Sequence, residues 1–406
     1  EQNRIEYIVN IIKPFLPYAA ADKQGFMLTQ NSLGFNNLIY IASVLSDIKD
    51  CHVDDAVSIY ALLIEEPEAH LHPQLQVNLY NFLKNADDSE NSQTFITTHS
   101  PTLTSKIPLE NLILLKDNAA FHVGDCFVNR HTENIVRDVS NHNRKLMEDE
   151  VKSYRKMIAR YFDVTRSQLL FSNGCLFIEG ISECQLMETF SKLMGKSLID
   201  NQIEIVDTDG TAFYQFLMLF NSSNDKVRLP MRAAFITDED QFTDSKDKEY
   251  NLDALCANDY AQLAVLRNGI NVGSMNGRVN NMNAMANGQA GIKICSGVKT
   301  LEYQICKANV FAEQEATKGT WLYELIMSEN EDGIGKVEAY INGLGERNLN
   351  DEEQQNVALL LWKCLPGKAG FAQTLNTFLR DKIDAGGDVK FTVPSYIQTA
   401  INHLVQ

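Results

Sequence analysis

Apolar residues first recur at helical spacing, with Ile5, Ile8, Val9 and Ile12 on one face, and Pro14 and Pro17 predict the end of that helix. A second helical stretch runs through Leu38 to Leu45. The period then changes. SIYALLI (58–64) is a continuous β-favouring run that stops at Glu65-Glu66-Pro67, and Pro73 opens a helix reaching about Leu83. TFITT (94–98) and NLILL (111–115) predict two more buried strands. Residues 117–165 are polar and charged, helical only near 150–162, and read as a connector. Beyond them strand and helix signals alternate: CLFIEG (175–180), a helix over 182–195, IEIVD (203–207), a helix over 211–220, and AAFITDED (233–240). Such alternation predicts an α/β fold with a parallel sheet covered by helices. The Asn-, Gly- and Met-rich stretch 267–291 reads as a long loop, 320–362 as helical, and 364–370 as loop.

Composition narrows the class. The 406 residues are 44% hydrophobic and 22% charged, which fits a soluble chain of two or three domains. No apolar run is long enough to span a bilayer, EQNRIEYIV does not form a signal peptide, and no membrane role is expected. The eight cysteines are scattered with no Cys-x-x-Cys pair, so reduced thiols in the cytoplasm are expected and a Cys-rich zinc site is not. The net charge of −17 argues against a protein that coats nucleic acid through Lys and Arg alone. It leaves room for an enzyme that reaches phosphates through cations held by carboxylates.

Two constellations carry chemistry. In LLIEEPEAHLHP (62–73) a hydrophobic strand ends in Glu65 and Glu66, where a nucleotide crevice would open. One carboxylate can order a Mg²⁺ shell and the other can polarise an attacking water. His99 stands at the end of the next strand, and Ser32 and Gly34 in NSLGFNNLIY open a helix whose free N–H groups suit phosphate. His70 and His72 read as structural. In this order the pieces resemble the C-terminal lobe of ABC-type ATPases of the recombination-and-repair sort. That resemblance makes Ser32 and Gly34 the signature motif, Glu65 the Walker B acid, Glu66 the catalytic acid and His99 the switch histidine, with ATP as ligand. The pattern is incomplete. No Gly-x-x-x-x-Gly-Lys-Ser/Thr run occurs, and the chain begins at Glu1. The phosphate-cradling half is therefore expected upstream, and ATP hydrolysis is not expected of this chain alone.

The second constellation is acidic. Glu179 ends a strand and Glu183 lies four residues on, with Gly180 permitting a tight turn between them. Asp238 and Asp240 alternate along a strand end and so share a face, while Glu239 should point away into solvent. Glu302, in KTLEYQI (299–305), sits on a predicted helix. Five carboxylates converging on one sheet edge would repel each other without hard divalent cations. Two Mg²⁺ or Mn²⁺ ions could clamp a scissile phosphate. The order strand, Glu-Gly-x-x-Glu, strand, Asp-x-Asp resembles the Toprim fold of topoisomerases, primases and some nucleases.

The two constellations together are similar to the OLD (overcoming lysogenization defect) family of ATP-coupled nucleases, whose layout GajA-like and retron-associated anti-phage effectors share. The resemblance runs from NSLGFNNLIYIA to GKAGFAQ (367–373). It implies a partial ATPase domain over 1–118, a connector over 119–168 and a Toprim nuclease domain over 169–406, with a helical insertion at about 318–362. It makes Glu179, Glu183, Asp238, Asp240 and Glu302 metal ligands and Lys368 a stabiliser of the transition-state phosphate. Without the resemblance, Lys368 is an ordinary lysine of a Pro/Gly loop. The implied activity is a metal-dependent DNA endonuclease or nickase gated by ATP, acting in anti-phage defence. A homo-oligomer, dimer or higher, is implied, with a second defence-system protein as a further partner. The alternative is an ATP-switched DNA-binding or scaffolding protein whose acidic site does not cut. A topoisomerase would need a tyrosine nucleophile on a separate cleavage domain, and a primase would need a zinc module. The Asn-rich 271–287 segment reads as either a DNA-facing loop or a solvated connection.

Overall fold

The computed structural model describes residues 15–17, 25–27, 30–51, 60–86, 92–127, 135–136, 143–144, 147–210, 212–222, 224–239, 261–272, 277–286, 288–386 and 390–406. The expected helix at Ile5–Ile12 and Asp240 lie outside them. The chain forms two compact units, residues 1–108 with 162–167, and residues 109–161 with 168–406.

In the first unit a short antiparallel pair, β1 (Phe15–Pro17) and β2 (Gly25–Met27), precedes helix α1 (Leu33–Cys51). Strand β3 (Tyr60–Glu65), helix α2 (Pro73–Ala86) and strand β4 (Ser92–Thr97) follow, and α3 (Pro101–Thr104) closes the series. β3 and β4 pair in parallel, with Glu65 opposite Thr97. Leu62, Ile64 and Ile96 point to one face and pack with Leu45, Leu71, Leu79 and Leu83. Alternation puts Leu63 on the opposite face, where it is 74% exposed.

The second unit opens with the hairpin β5 (Ile113–Lys116) and β6 (Ala119–His122), the short pair β7 (Ile135–Val136) and β8 (Asn143–Arg144), and helix α4 (Glu148–Tyr161). Its centre is a parallel sheet of four strands in the order β10 (Ile203–Asp207), β9 (Gly174–Ile178), β11 (Arg232–Asp238), β12 (Ile292–Gly297). Helices α5 (Ile181–Leu193), α6 (Phe213–Leu217), α7 (Ala261–Val272) and α8 (Gly277–Ala286) come between the strands. After β12 come α9 (Leu301–Ala308), α10 (Gln314–Lys318), α11 (Trp321–Glu329), α12 (Glu331–Gly343), α13 (Asp351–Cys364), α14 (Lys368–Asp384) and α15 (Ser395–Leu404). The α/β architecture expected from the alternation is present.

Both faces of the sheet are covered, as parallel strands require. On one face Phe177 stacks on Phe235 with ring centroids 4.5 Å apart, and Phe213, Phe216 and Phe220 close over them. On the other, Leu176, Ile178, Ala234 and Ile236 join Leu186, Phe190, Ile397, Ala400 and Ile401 in one core. Cys175 lies inside this sheet, where burial pushes its thiol up to about 12; it is a packing residue, not a nucleophile.

Two readings from the sequence are corrected and a third is made more specific. The Asn-rich 267–291 stretch is helical over most of its described length, because Val279, Met282, Met285 and Ala286 form a buried stripe that outweighs the low helix propensity of Asn. The loop expected over 364–370 ends early, since α14 begins at Lys368. The helical 320–362 region is three helices, the last opened by a capping box in which Asn350 and Glu353 bond each other's backbone. Among the described residues no helix is long and apolar enough to cross a membrane.

Candidate functional site

In the first unit, Glu65 ends β3 and Glu66 turns away with φ 41°, a left-handed conformation that a non-glycine residue adopts at a cost of about 1–3 kcal/mol. The turn is held because Glu66 N donates to Thr97 O at 3.0 Å. It leaves the Glu66 carboxylate 3.4 Å from His99 Nε2, both side chains being exposed. Glu68 ties the same loop to β4, accepting from Thr98 Oγ1 at 2.6 Å and from His99 N at 2.9 Å. Ser32 precedes α1, and its hydroxyl accepts from Phe35 N at 3.4 Å.

Gly34 explains itself by contact. A Cβ there would lie 2.5 Å from His70 O, so α1 touches the loop after Glu66 through bare backbone. We therefore expect Gly34→Ala to destabilise this unit by about 1–3 kcal/mol. Limited proteolysis within residues 30–104 should accelerate, while cleavage within the four-stranded sheet of the second unit should not. Unchanged digestion would refute the contact.

The second unit gathers carboxylates. Because its sheet is wholly parallel, the strand ends Ile178, Asp207, Asp238 and Gly297 face one edge. Glu179 follows β9 directly, and Glu183 lies in the first turn of α5. Glu302 lies in the first turn of α9, capped by Thr300. Free N–H groups at both helix starts offset the negative charge. Glu183 and Asp238 are each 8% exposed and Glu302 is 5% exposed. Buried carboxylates at these positions require compensating partners.

Some partners are visible. Thr237 donates its hydroxyl to Glu179, Asp238 N donates to Glu179 Oε1 at 3.0 Å, and Arg278 Nη2 reaches the same oxygen at 2.9 Å. Arg278 also donates to Thr237 Oγ1 at 2.9 Å and to Asp238 O at 2.6 Å. Leu301 N donates to Asp238 Oδ2 at 3.2 Å. Glu302 Oε2 is enclosed and accepts no hydrogen bond. Lys299, just before Thr300, is fully buried with its ammonium 5.5 Å from the Trp362 ring centre.

The donor chemistry fits a hard divalent cation: carboxylates buried at one sheet edge, with one oxygen left without a partner. Among the described residues, however, no three of these side chains are already drawn round a single point. Arg278 accounts for part of this, since its guanidinium holds Glu179.

The structure thus brings Glu179, Glu183, Asp238 and Glu302 to one edge. Asp240 is outside the described residues, and Lys368 is placed only as the first residue of α14. Two local readings are corrected. Glu239 is buried rather than solvated, because Ser296 of the neighbouring strand donates to it at 2.5 Å and Glu239 N donates to Gly297 O at 2.8 Å. Gly180 has φ −176°, extended backbone that any residue adopts, and a Cβ there would meet open space. The turn does not require glycine. Arg278 and Lys299 were missed. Arg278 lies in a stretch without a chemical motif, and Lys299 lies in KTLEYQI with no local sign of its burial.

A family model of an AAA ATPase domain matches residues 1–104, and one of an overcoming lysogenization defect protein-like TOPRIM domain matches residues 170–240. The chain joins an AAA ATPase domain to an OLD-like Toprim domain. The Toprim match holds Glu179, Glu183 and Asp238 of the acidic edge. Endonuclease GajA of Bacillus cereus (strain HuB5-5) is 28% identical over 258 residues, 59% of this chain and 35% of that protein. The OLD nuclease of Thermus scotoductus is 26% identical over 164 residues, 39% of this chain and 28% of that protein. The Old nuclease of Escherichia phage P2 is 26% identical over 283 residues, 68% of this chain and 44% of that protein. The matches span less than half the length of each of these relatives. Among solved structures, the C-terminal region of the Burkholderia pseudomallei OLD protein covers 58% of this chain and 97% of that chain at 18% identity. Its TM-score of 0.31 is too low to establish a shared arrangement.

Proposed function

We propose that the chain is a metal-dependent DNA endonuclease or nickase whose Toprim domain cuts under control of its ATPase domain, in anti-phage defence. The observation that carries this reading is the set of buried carboxylates at the carboxyl edge of a parallel sheet, with Glu302 Oε2 left without a partner. The nuclease names of the relatives support it. Glu179, Glu183, Asp238, Asp240 and Glu302 would hold two Mg²⁺ or Mn²⁺ ions. Bound there, the cations would supply Lewis acidity and a more acidic water. The protein's part is to fix the carboxylates on strand ends and first helical turns. Lys368 adds a compact positive charge for the scissile phosphate. In the ATPase domain Ser32 and Gly34 present backbone to phosphate, Glu65 and Glu66 serve Mg²⁺ and water, and His99 senses the γ-phosphate of ATP. The boundaries that go with this reading are 1–118, 119–168 and 169–406. The protein would work in the cytoplasm as a homo-oligomer, with a second defence-system protein as a candidate partner.

One observation favours the second reading, an ATP-switched DNA-binding or scaffolding protein. Arg278 holds Glu179, as it would at a site that does not load metal. Supercoiled plasmid with Mg²⁺ or Mn²⁺ separates the two. Wild type should nick it, while Glu183→Ala and Lys368→Ala should not. Equal nicking by all three, or by none, removes the nuclease reading, and plasmid binding without nicking supports the second.

A further inference from the structure

Tyr396 stands in the first turn of α15, far along the chain from the acidic motifs. At the other end of α15, Arg232 Nη1 donates to His403 O at 3.1 Å, and His403 Nε2 lies 3.1 Å from Gly291 O. Arg232 and Gly291 mark the beginnings of β11 and β12. The helix therefore runs against the strands, with its last turn at their amino ends and its first at their carboxyl ends. There the tyrosine ring lies over Gly297, where a Cβ would come within 3.2 Å of Tyr396 Cζ and 3.4 Å of Cε1. Gly297 is the register partner of Asp238. The ring tip is thus placed at the level of the acidic edge.

The Tyr396 hydroxyl oxygen is enclosed and has no hydrogen-bond partner. Burial, and then the charges of Asp238, Glu183, Glu302 and Glu179, hold its proton on, well above the ordinary range for a phenol. It is a donor with no acceptor in place. Glu302 Oε2 is enclosed and without a partner in the same way. An enclosed polar group left unpaired is costly, and phenylalanine would fill the same space without that cost.

We propose that Tyr396 is a positioning residue of the acidic site, donating its phenol hydrogen bond to an oxygen of the divalent-cation shell, either a ligand carboxylate or a bound water. This rests on the reading of the edge as a divalent-metal centre. Groups that orient ligands in this way typically change metal affinity by about 10–100-fold when removed.

The test compares wild type, Tyr396→Phe and Gly297→Ala. In calorimetric titration with Mn²⁺, Tyr396→Phe should bind about tenfold more weakly or worse. Gly297→Ala, which crowds the ring, should shift in the same direction. With Tb³⁺ in place of Mn²⁺, emission sensitised through tyrosine should fall in Tyr396→Phe. Without metal, Tyr396→Phe should melt at or above the wild-type temperature, because an unpaired buried hydroxyl has been removed. A Tyr396→Phe protein that binds Mn²⁺ as tightly as wild type, or that melts clearly lower without metal, overturns the positioning role alone. If wild type itself takes up neither Mn²⁺ nor Tb³⁺, the metal-centre reading falls and takes this one with it.

Discussion

Asp238→Asn should abolish divalent-cation-dependent nicking of plasmid, with a loss beyond about a hundredfold, larger than the effect typical of groups behind metal ligands. Asp238 is the last residue of β11, and the ladder to β12 fixes its backbone opposite Gly297. Its backbone oxygen accepts from Arg278 and its Oδ2 from Leu301 N. The asparagine keeps the shape, and its amide oxygen can keep the bond from Leu301. The charge is removed, and one acceptor oxygen becomes an NH₂ donor. The expected pattern is therefore lost activity with an unchanged or higher melting temperature, since one of several neighbouring negative charges is gone. Nicking rates with Mn²⁺, read beside a thermal melt, check both halves. Wild-type nicking by Asp238→Asn would remove Asp238 from the set of ligands.

The largest stability effect is expected at Phe177. Phe177→Ala should cost about 3–5 kcal/mol, lowering the melting temperature of its unit by roughly 10 °C. The ring is fully buried near the carboxyl end of β9 and stacks on Phe235 at 4.5 Å. It also meets Phe216 at 5.1 Å and Phe220 at 5.8 Å, so truncation opens a cavity walled by other rings that cannot easily collapse. Because β9 delivers Glu179 to the edge, metal affinity should weaken alongside stability. Phe177→Leu, which restores much of the volume, should recover a large part of both. A denaturant melt showing a loss below about 1 kcal/mol would mean that the aromatic stack is not the core of the unit.

The acidic edge was legible because its parts are local. Each carboxylate lies at a strand end or in a first helical turn, and hydrophobic runs such as CLFI and AAFIT mark those ends within a few residues. Parallel strands then bring all such ends to one edge. The same logic made Glu65, Glu66 and His99 readable, since β3 and β4 are neighbours in the chain and in the sheet. The helix over 277–286 was hidden because its stripe is built from Met and Ala among asparagines, a weak signal until Val279 and Met282 are seen to be buried.

By itself the sequence determined the α/β class, the order of the two domains and which strand ends carry acids, all matters of short-range period and spacing. Only the tertiary structure decided what stands against those acids. Arg278 on Glu179, Ser296 on Glu239, the enclosed oxygen of Glu302 and the Tyr396 ring over Gly297 were beyond a reading of periods. Most of these contacts join residues many tens of positions apart, with no pattern linking them along the chain. Whether a carboxylate is bare, paired or buried depends on which remote side chain the packing brings to it. That is settled by the sum of many small contact energies across the core, and no local motif records it.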